Sequence, residues 1–454
     1  MLDYKTLVDW DRKYLWHPFT QMKEWMEESP VIIERGEGIY LIDVNGNRYI
    51  DGVASMWTNV HGHNRREIND SITTQLNMIS HSSLLGYANV PAIQLAKRLV
   101  EITPHGLNKV FYSDNGATSV EVALKMACQF WRQNGEPRRK VFLHLDAAYH
   151  GDTVGAMSVG GIELFHKTFE NLLFETRVSP APYVYRSETG QDSESVRDSC
   201  LHEMESILQT CKGEIAAVII EPLIQGAGGV IVSPRGFLKG AAELARKYNA
   251  LLILDEVMTG FGRTGRMWAC EHEGVVPDIL CTAKGLTAGY LPLAATITTD
   301  EVFDAFLGDY GDFRTFFHGH TFTGNQLGCV AALANINLFE ETNLIDRIQP
   351  TIEHFKDRLK EFYTLDHVGD VRVCGLAAGI ELVRDRVSKE EYPAADKVGM
   401  RVCREALQHG AILRPLINVI VLMPPLQITI TELDQLLEIV YNAIKRITEE
   451  HLRS

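Results

Sequence analysis

Five short apolar runs in the middle of the chain constrain the fold more than any other feature of the sequence. Each run ends in polar or glycine residues: KVFYSDNG, KVFLHLDAAYHG, AAVIIEPLIQGAGG, ALLILDEVMTGFG and PDILCTAKG. Strands without polar alternation are typical of a parallel sheet that helices cover on both faces. The sequence therefore predicts an α/β fold with a mainly parallel sheet.

Helical patterns separate these runs, as such a sheet requires. One segment has apolar residues at helical spacing and predicts a single buried face: Val120, Ala123, Leu124, Ala127 and Trp131. Thr118 and Glu121 have the spacing of a capping box, which predicts that this helix begins at Thr118.

The two ends of the chain have a different pattern. IIERGEGIYLIDVNGNRYID predicts a hairpin with its turn at Asn45-Gly46, and the C-terminal part alternates helices with short strands. We predict that residues 64–329 form a large sheet domain. Residues 1–63 and 330–454 would together form a smaller domain.

Composition and charge exclude several classes of protein. A net charge of −15 argues against a nucleic-acid partner, and the eight cysteines include no CxxC pair, which predicts reduced thiols. The first residues lack the apolar core of a signal peptide, and no apolar run approaches the length of a membrane span. We expect a cytoplasmic protein with no membrane partner.

The predicted strands end in residues that can do chemistry. In an open α/β sheet, ligands bind outside the carboxyl ends of the strands. Those ends carry Asn115-Gly116-Ala117, Tyr149-His150-Gly151, Glu221, Asp255-Glu256 and Lys284. A lysine in this position is partly desolvated, which favours the neutral, nucleophilic amine. The alternative is a surface lysine at a strand end.

Asp255 ends the apolar strand LLIL, where a carboxylate needs a partner. A pyridinium N–H is one such partner, and pyridoxal 5′-phosphate (PLP) requires an acid there in order to act as an electron sink. An ion pair with Arg263 or Arg266 is the alternative. Lys284 lies 29 residues after Asp255, about one strand–helix–strand unit, so adjacent strands could place both residues around one ring.

Two further strand ends suit the rest of such a cofactor. SDNGATSVE turns from a strand into a helix at a glycine, and free N–H groups at a helix start bind phosphate. Tyr149 follows another strand and could stack on a planar ring, although a core aromatic is the alternative interpretation.

These residues lie in segments that resemble the class III aminotransferases, a PLP-dependent family with the aspartate-aminotransferase-like fold. The matching segments span nearly the whole chain: IDVNGNRYIDG, NVHGHN, FYSDNGATSVEVALKMA, YHGDT, IIEPLIQGAGG, LILDEVMTGFGRTGRMWACE, PDILCTAKGL and HGHTFTGNQLGC. The resemblance implies a seven-stranded, mainly parallel sheet in the large domain and an α+β domain formed from both termini. It also implies a transaminase that acts on small molecules as a homodimer, with active sites at the subunit interface.

The resemblance assigns roles to individual residues. Lys284 would carry PLP covalently and transfer the proton, while Asp255 would keep the pyridine nitrogen protonated. Val257 and Tyr149 would pack on the two faces of the ring. The other residues implied to bind the cofactor are Gly116, Ala117, Glu221 and Thr321. Thr321 would reach the phosphate in the neighbouring subunit.

Two segments resemble one branch of the family, which acts in biotin biosynthesis: LWHPFTQM and LRPLINVIVLMPP. This resemblance implies amino transfer to 8-amino-7-oxononanoate, giving 7,8-diaminononanoate, usually from S-adenosylmethionine. The residues implied to contact substrate are Trp57, Phe19, Gly319 and Arg414, the arginine gripping the acceptor carboxylate.

Three positions depart from that branch. Phe19 and Val421 stand where it has tyrosine, and Met56 stands where it has tryptophan. Because the lost hydroxyls remove partners for a polar donor, both lysine and S-adenosylmethionine stay open as donors, and the departures favour lysine.

Other functions stay open at this point. Another class III ω-amino acid:pyruvate aminotransferase or an aminomutase is one alternative, and a PLP-binding regulator is another. The HxH pairs His61/His63 and His318/His320 have no carboxylate or cysteine at ligand spacing, so we expect no metal site.

Overall fold

A seven-stranded sheet forms the centre of the fold in the computed structural model, which describes residues 3–187 and 192–450. The strands are numbered along the chain: β1 Ile33–Glu37, β2 Tyr40–Asp43, β3 Arg48–Asp51, β4 Leu107–Ser113, β5 Val141–Leu145, β6 Thr176–Ser179, β7 Ile215–Ile220, β8 Ile224–Gln225, β9 Ile231–Val232, β10 Leu251–Asp255, β11 Ile279–Thr282, β12 Ala294–Thr299, β13 Val368–Cys374, β14 Ala377–Asp385, β15 Glu390–Glu391, β16 Ala411–Ile412, β17 Pro415–Leu416 and β18 Val419–Leu422.

Helices connect most of these strands. They are α1 Tyr4–Tyr14, α2 Met22–Trp25, α3 Ala54–Trp57, α4 Arg66–Leu76, α5 Val90–Ile102, α6 Gly116–Gln133, α7 Val154–Ser158, α8 Glu163–His166, α9 Ser193–Thr210, α10 Phe237–Lys247, α11 Asp300–Asp304, α12 Gln326–Glu341, α13 Leu344–Arg347, α14 Gln349–Leu359, α15 Val398–Gln408 and α16 Ile430–Lys445. Within the described ranges, none of the helices combines the length and the apolar composition that crossing a membrane requires.

The central sheet is mainly parallel. Its strands lie in the order β4-β12-β11-β10-β7-β5-β6. The pairs from β11 to β6 are all parallel, whereas β12 runs antiparallel to both of its neighbours. This arrangement confirms the predicted α/β fold with a seven-stranded, mainly parallel sheet.

Burial on both faces explains why the central strands are apolar throughout. Every residue of β5, β7, β10 and β11 is buried. Successive side chains of a strand point to opposite faces. Ile253 accordingly packs in the cluster formed with α6, while Leu252 and Leu254 pack in the cluster that includes α10. A polar residue at the end of such a strand meets little water.

Helix α6 begins earlier than the sequence pattern predicted. Asn115, not Thr118, is the N-cap, and its side chain accepts a hydrogen bond from the Thr118 N–H at 3.0 Å. Glu121 instead accepts hydrogen bonds from the N–H groups of Gly155 and Ala156. The predicted start was wrong because asparagine is an equally good cap, and threonine can complete the box from the third helical position.

The connection from β10 to β11 differs from the predicted strand–helix–strand unit. The two strands are adjacent and parallel, as expected, but residues 256–278 form turns and one short 3-10 helix, Ala269–His272. Glu256 organises this loop. Its buried carboxylate accepts hydrogen bonds from the Thr259 hydroxyl at 2.5 Å and from the N–H groups of Ala269 and Cys270 at 3.1 and 2.9 Å. Burial raises the pKa of Glu256 to about 7.

Both ends of the chain contribute to one smaller sheet. Strand β16 pairs in parallel with β3 in the order β1-β2-β3-β16. Strands β2 and β3 form the predicted hairpin, with Gly46 at a φ of 84° in the turn. The Asp43 carboxylate accepts the N–H groups of Asn45 and Asn47 there. A further sheet of five strands, β13, β14, β15, β17 and β18, lies in the C-terminal part. The domain boundaries at residues 63 and 329 stay a prediction.

Candidate active site

A cavity of about 660 Å³ opens at the carboxyl edge of the central sheet. Strands β4, β5, β7, β10 and β11 run in the same direction and end around it. The lining includes the residues that follow these strand ends: Asn115, Gly116, Ala117, Tyr149, His150, Glu221, Asp255 and Lys284. Trp57 and Val257 line the same cavity. The structure thus brings most of the predicted site residues together.

Asp255 is the buried acid at the end of β10, and His150 is its partner. The Nδ1 of His150 donates to Asp255 Oδ2 at 2.7 Å, and the Val257 N–H donates to Oδ1 at 3.0 Å. Arg263 and Arg266, the alternative partners, donate instead to backbone carbonyls. The Asp255 carboxylate therefore accepts two hydrogen bonds from within the protein and still lines the cavity.

The sequence placed His150 at a strand end but assigned it no role, and the structure shows it as the partner of Asp255. Its Nε2 is buried and meets no hydrogen-bond partner in the described part of the chain. The sequence places a histidine between Tyr149 and Gly151 at a strand end, which is a weak signal by itself. Its role depends on the order of the strands: β5 and β10 lie on either side of β7, and this places His150 beside Asp255.

Lys284 follows β11 and lines the same cavity as Asp255. Its backbone lies in the left-handed region, with a φ of 44°, which is strained for a residue other than glycine. Desolvation lowers the pKa of the Lys284 amine, and the negative charges of Asp255 and Glu221 oppose that shift. The Nζ atom lies 4.9 Å from the centroid of the Trp57 ring, a cation–π contact. The lowered pKa increases the fraction of neutral, nucleophilic amine.

The first turn of α6 presents free backbone donors to the cavity. The Gly116 and Ala117 N–H groups precede the first intrahelical hydrogen bond, and Asn115 already accepts from Thr118. Free N–H groups and the helix dipole together favour an anion at this position. A side chain at residue 116 would lie 2.6 Å from Val257 Cγ1, so only glycine allows this turn to pack so closely.

Glu221 organises the backbone around the cavity. Its two carboxylate oxygens accept hydrogen bonds from the N–H groups of Tyr149 at 3.0 Å and Gly226 at 2.8 Å. Burial raises the pKa of Glu221 to about 7. The Tyr149 hydroxyl donates to Asp152 at 2.7 Å, and burial raises the pKa of that phenol, so it stays a donor.

Arg414 lies half-buried beside Phe19 and Met56. Its guanidinium carbon lies 5.9 Å from the centroid of the Phe19 ring, and its Nη1 lies 3.9 Å from Met56 Sδ. The Phe19 ring also contacts Phe165, at 5.3 Å between centroids. In the residues that the structure describes, no carboxylate pairs with Arg414. The arginine is therefore available to an acidic ligand.

Four predicted residues do not line this cavity: Phe19, Arg414, Gly319 and Thr321. Gly319 lines a separate cavity of about 310 Å³ together with Leu84 and Leu85. Thr321 is exposed, in the turn before α12. Neither residue lines the cavity that contains Lys284 in its own chain.

The HxH pairs take part in ordinary hydrogen bonds. The Nε2 of His63 bonds to Asp51, and the Nδ1 of His318 bonds to Lys125. Across residues 3–187 and 192–450, no three His, Cys, Asp or Glu side chains are grouped so that they could hold a metal ion.

The chemical groups that line this cavity fit PLP. Lys284 supplies an amine of lowered pKa for the aldehyde, and Asp255 supplies an acid for the ring nitrogen. The free N–H groups of α6 suit the phosphate, and the side chains of Val257 and Tyr149 line the cavity where the ring would lie. All of these groups line one cavity.

This fold and this set of side chains together define a PLP-dependent aminotransferase with an aspartate-aminotransferase-like α/β architecture. The profile of the family described as "Aminotransferase class-III" matches residues 21–444. The chain belongs to the class III aminotransferases.

Relatives and solved structures agree with this assignment. The chain is 56% identical over 447 residues to a curated adenosylmethionine-8-amino-7-oxononanoate aminotransferase of Geobacter sulfurreducens, which covers 98% of this chain and 99% of that protein. It is 50% identical to the crystal structure of the corresponding enzyme from Methanocaldococcus jannaschii, with a TM-score of 0.93 and coverage of 98% and 99%. An amine transaminase from an uncultivated Pseudomonas species, solved in its PLP-bound form, is 35% identical, with a TM-score of 0.92 and coverage of 96% and 99%.

We expect Lys284 of the cofactor-free protein to react with acetic anhydride at lower pH than exposed lysines do. Desolvation lowers its pKa from the usual 10.5, so more of the amine is neutral at a given pH. Mass-spectrometric labelling rates over a pH series measure this. Lys167 is the control, because Glu163 raises its pKa. Labelling of Lys284 that follows the pH profile of Lys167 would contradict the prediction.

Proposed function

We propose that the protein transfers an amino group to 8-amino-7-oxononanoate, with S-adenosylmethionine as the donor. The proposal rests above all on the joint presence of Lys284, Asp255 and the free N–H groups of α6 in one cavity. It is supported by relatives that carry this activity in their names and are 50–56% identical over nearly the whole chain. The ω-amino acid:pyruvate alternative has weaker support, since the amine transaminase is 35% identical.

Three residues act on the cofactor in this proposal: Asp255, His150 through Asp255, and Lys284. PLP, when bound, supplies an electron-withdrawing ring that stabilises the carbanion formed during amino transfer. Asp255 would accept the hydrogen bond of the protonated ring nitrogen, and His150 holds the Asp255 carboxylate in place. Lys284 would hold the cofactor covalently, and its amine would then move the proton during amino transfer. Desolvation lowers the pKa of its amine, which favours the neutral form that can act as a base.

The backbone and the aromatic residues position the cofactor. The Gly116 and Ala117 N–H groups would bind the phosphate at the start of α6. Val257 and Tyr149 would pack against the ring, and Tyr149 is itself held by Glu221 through its N–H. Trp57 lies 4.9 Å from Lys284 Nζ and would help to exclude water from the reacting atoms.

Arg414 is the proposed clamp for the acceptor. The acceptor carries a carboxylate at the end far from its reacting ketone, and a guanidinium can hold a carboxylate through two parallel hydrogen bonds. Arg414 suits this role because it is half-buried, contacts the Phe19 ring and the Met56 sulfur, and has no acidic partner in the described chain.

The proposed donor is S-adenosylmethionine rather than lysine. The departures at three positions favoured lysine, but the relatives at 50–56% identity are named for adenosylmethionine. Val421 is 1% exposed, lies in the same buried cluster as Trp57 and Met258, and does not line the cavity, so this departure carries little information about the donor. Phe19 and Met56 stay exposed, which leaves room for a larger substrate.

We also propose a homodimer with shared active sites, in the cytoplasm. Gly319 and Thr321 lie outside the cavity of their own chain, next to exposed apolar side chains of Phe317 and Phe322. A second copy would bury these side chains and bring Thr321 to its phosphate. All eight cysteines are free thiols, which suits a reducing compartment.

We expect S-adenosylmethionine to support a single turnover that forms 7,8-diaminononanoate from PLP-loaded protein and 8-amino-7-oxononanoate. Lysine and alanine, supplied in parallel, should give little product by mass spectrometry. Lys284→Ala should give none with any donor. Product from lysine alone would contradict the proposed donor, and efficient transfer from an ω-amino acid such as β-alanine to pyruvate would favour the ω-amino acid alternative.

Arg414→Ala should raise the KM for 8-amino-7-oxononanoate by about 10- to 100-fold, the loss expected when one charge-assisted pair of hydrogen bonds disappears. The donor half-reaction should change little. Arg414→Lys is the matched control, since it keeps the charge and loses the planar fork, and its KM should be intermediate. Steady-state kinetics with each substrate varied would measure both effects, and an unchanged acceptor KM would contradict the clamp.

Mixed dimers test whether Thr321 acts across the interface. Lys284→Ala and Thr321→Asp should each abolish activity, the second because its carboxylate repels the phosphate. If Thr321 serves the partner's site, a heterodimer of the two variants contains one intact site and one doubly altered site. Co-expressed, purified heterodimer should therefore regain activity. Lack of recovery would place Thr321 in its own chain's site.

A further inference from the structure

The segment α3, Ala54–Trp57, is one turn of left-handed helix, and its last residue, Trp57, lines the cavity. Residues Ala54, Ser55, Met56 and Trp57 have φ values of 47°, 47°, 66° and 69°, and none of them is glycine. The turn is closed by hydrogen bonds from the N–H groups of Trp57 to Val53 and of Thr58 to Ala54, at 2.8 and 2.9 Å. A left-handed conformation costs about 1–2 kcal/mol for each residue with a side chain. Four such residues in a row therefore need strong support from their surroundings.

Asp51 provides that support. It ends β3, and its side chain is fully buried. Its Oδ1 accepts the Ser55 N–H at 2.9 Å, and its Oδ2 accepts the Ser55 hydroxyl at 2.7 Å. The same Oδ2 bonds to His63 Nε2 at 2.9 Å. The carboxylate thus ties the second residue of the left-handed turn to the end of a strand.

A directional chain of hydrogen bonds requires an acceptor at residue 51. The Gly62 N–H donates to Asn59 Oδ1 at 2.7 Å, which leaves the Asn59 amide nitrogen to donate to His63 Nδ1 at 3.0 Å. The Nε2 of His63 must then carry the hydrogen that it donates to Asp51. The Gly62 N–H thus fixes the direction of every hydrogen bond in this chain. Asp51 must accept at both oxygens, from Ser55 and from His63. An asparagine at residue 51 has only one acceptor oxygen, and its NH₂ group would face one of these donors.

The turn presents two side chains to the site. The Trp57 ring lies 4.9 Å from Lys284 Nζ, and Met56 Sδ lies 3.9 Å from Arg414 Nη1. The Trp57 ring is also pressed against Gly226, where an added Cβ would lie 3.2 Å from its Cζ3. A right-handed or extended conformation of the same residues would point both side chains elsewhere.

We propose that Asp51 is a positioning residue that sets acceptor specificity by holding the left-handed turn 54–57, and with it the wall formed by Met56 and Trp57. Asp51 touches neither cofactor nor substrate in this role and acts through Ser55. The link to the acceptor rests on the proposed function, whereas the support of the turn does not.

Hydrogen exchange of the cofactor-free protein tests the turn without any substrate. In Asp51→Asn, peptides that contain residues 57–59 should exchange at least about tenfold faster, as the loss of one buried hydrogen bond predicts. Ser55→Ala removes only the hydroxyl bond and should give a smaller increase, which keeps the test decisive if Asp51→Asn folds poorly. Asp43→Asn is the matched control, because Asp43 is also buried in the same sheet and accepts two backbone N–H groups, but of another turn.

Kinetics test the effect on specificity. Asp51→Asn and Ser55→Ala should raise the KM for 8-amino-7-oxononanoate, in that order of size. This effect should exceed the fold-change in the rate of the donor half-reaction, which the displaced Trp57 also affects, and Asp43→Asn should leave both unchanged. Unchanged exchange at residues 57–59 in both variants would overturn the role of Asp51. Faster exchange with an unchanged acceptor KM would overturn the specificity claim. If wild-type protein does not use this acceptor, the exchange result still decides whether Asp51 holds the turn.

Discussion

The candidate active site depends on keeping charged groups at the end of a sheet that is otherwise apolar. Helices cover both faces of β10 and β11, so protein surrounds most of Asp255 and Lys284, although both line the cavity. Asp255 accepts hydrogen bonds from His150 and from the Val257 N–H, and these bonds compensate for the lost hydration. Lys284 is compensated only by the nearby negative charges of Asp255 and Glu221. Because this is less than the cost of desolvation, the pKa of its amine falls. One environment of low polarity thus produces both the anchored acid and the reactive amine.

Three buried carboxylates give the surrounding loops their shape. Glu221 holds the backbone of Tyr149 and of the loop after β7, Glu256 holds the connection from β10 to β11, and Asp51 holds the left-handed turn. Each accepts one or two backbone N–H groups of the loop that it holds. The walls of the cavity are therefore formed before a ligand arrives, which lowers the cost of binding one.

This arrangement makes stability depend on pH. Burial raises the pKa of both Glu221 and Glu256 from 4.5 to about 7. Between these values the folded chain binds protons that the unfolded chain has released. The contribution of the two groups to the free energy of unfolding therefore falls as the pH rises through that window, because each carboxylate must be charged inside the protein.

The architecture and the two central residues of the site could be read from the sequence. Continuous apolar runs follow directly from burial on both faces of a strand, and a lone acid or lysine at the end of such a run is costly enough to indicate a function. Asp255 and Lys284 were predicted as site residues in this way. Neighbouring strands do bring them to one cavity, while their roles stay a prediction. The pairing of His150 with Asp255, the left-handed turn at residues 54–57 and its tie to Asp51 could not be predicted. They join residues that lie apart in the chain or adopt backbone angles that local preference disfavours, and only long-range packing and buried hydrogen bonds supply the free energy that stabilises them.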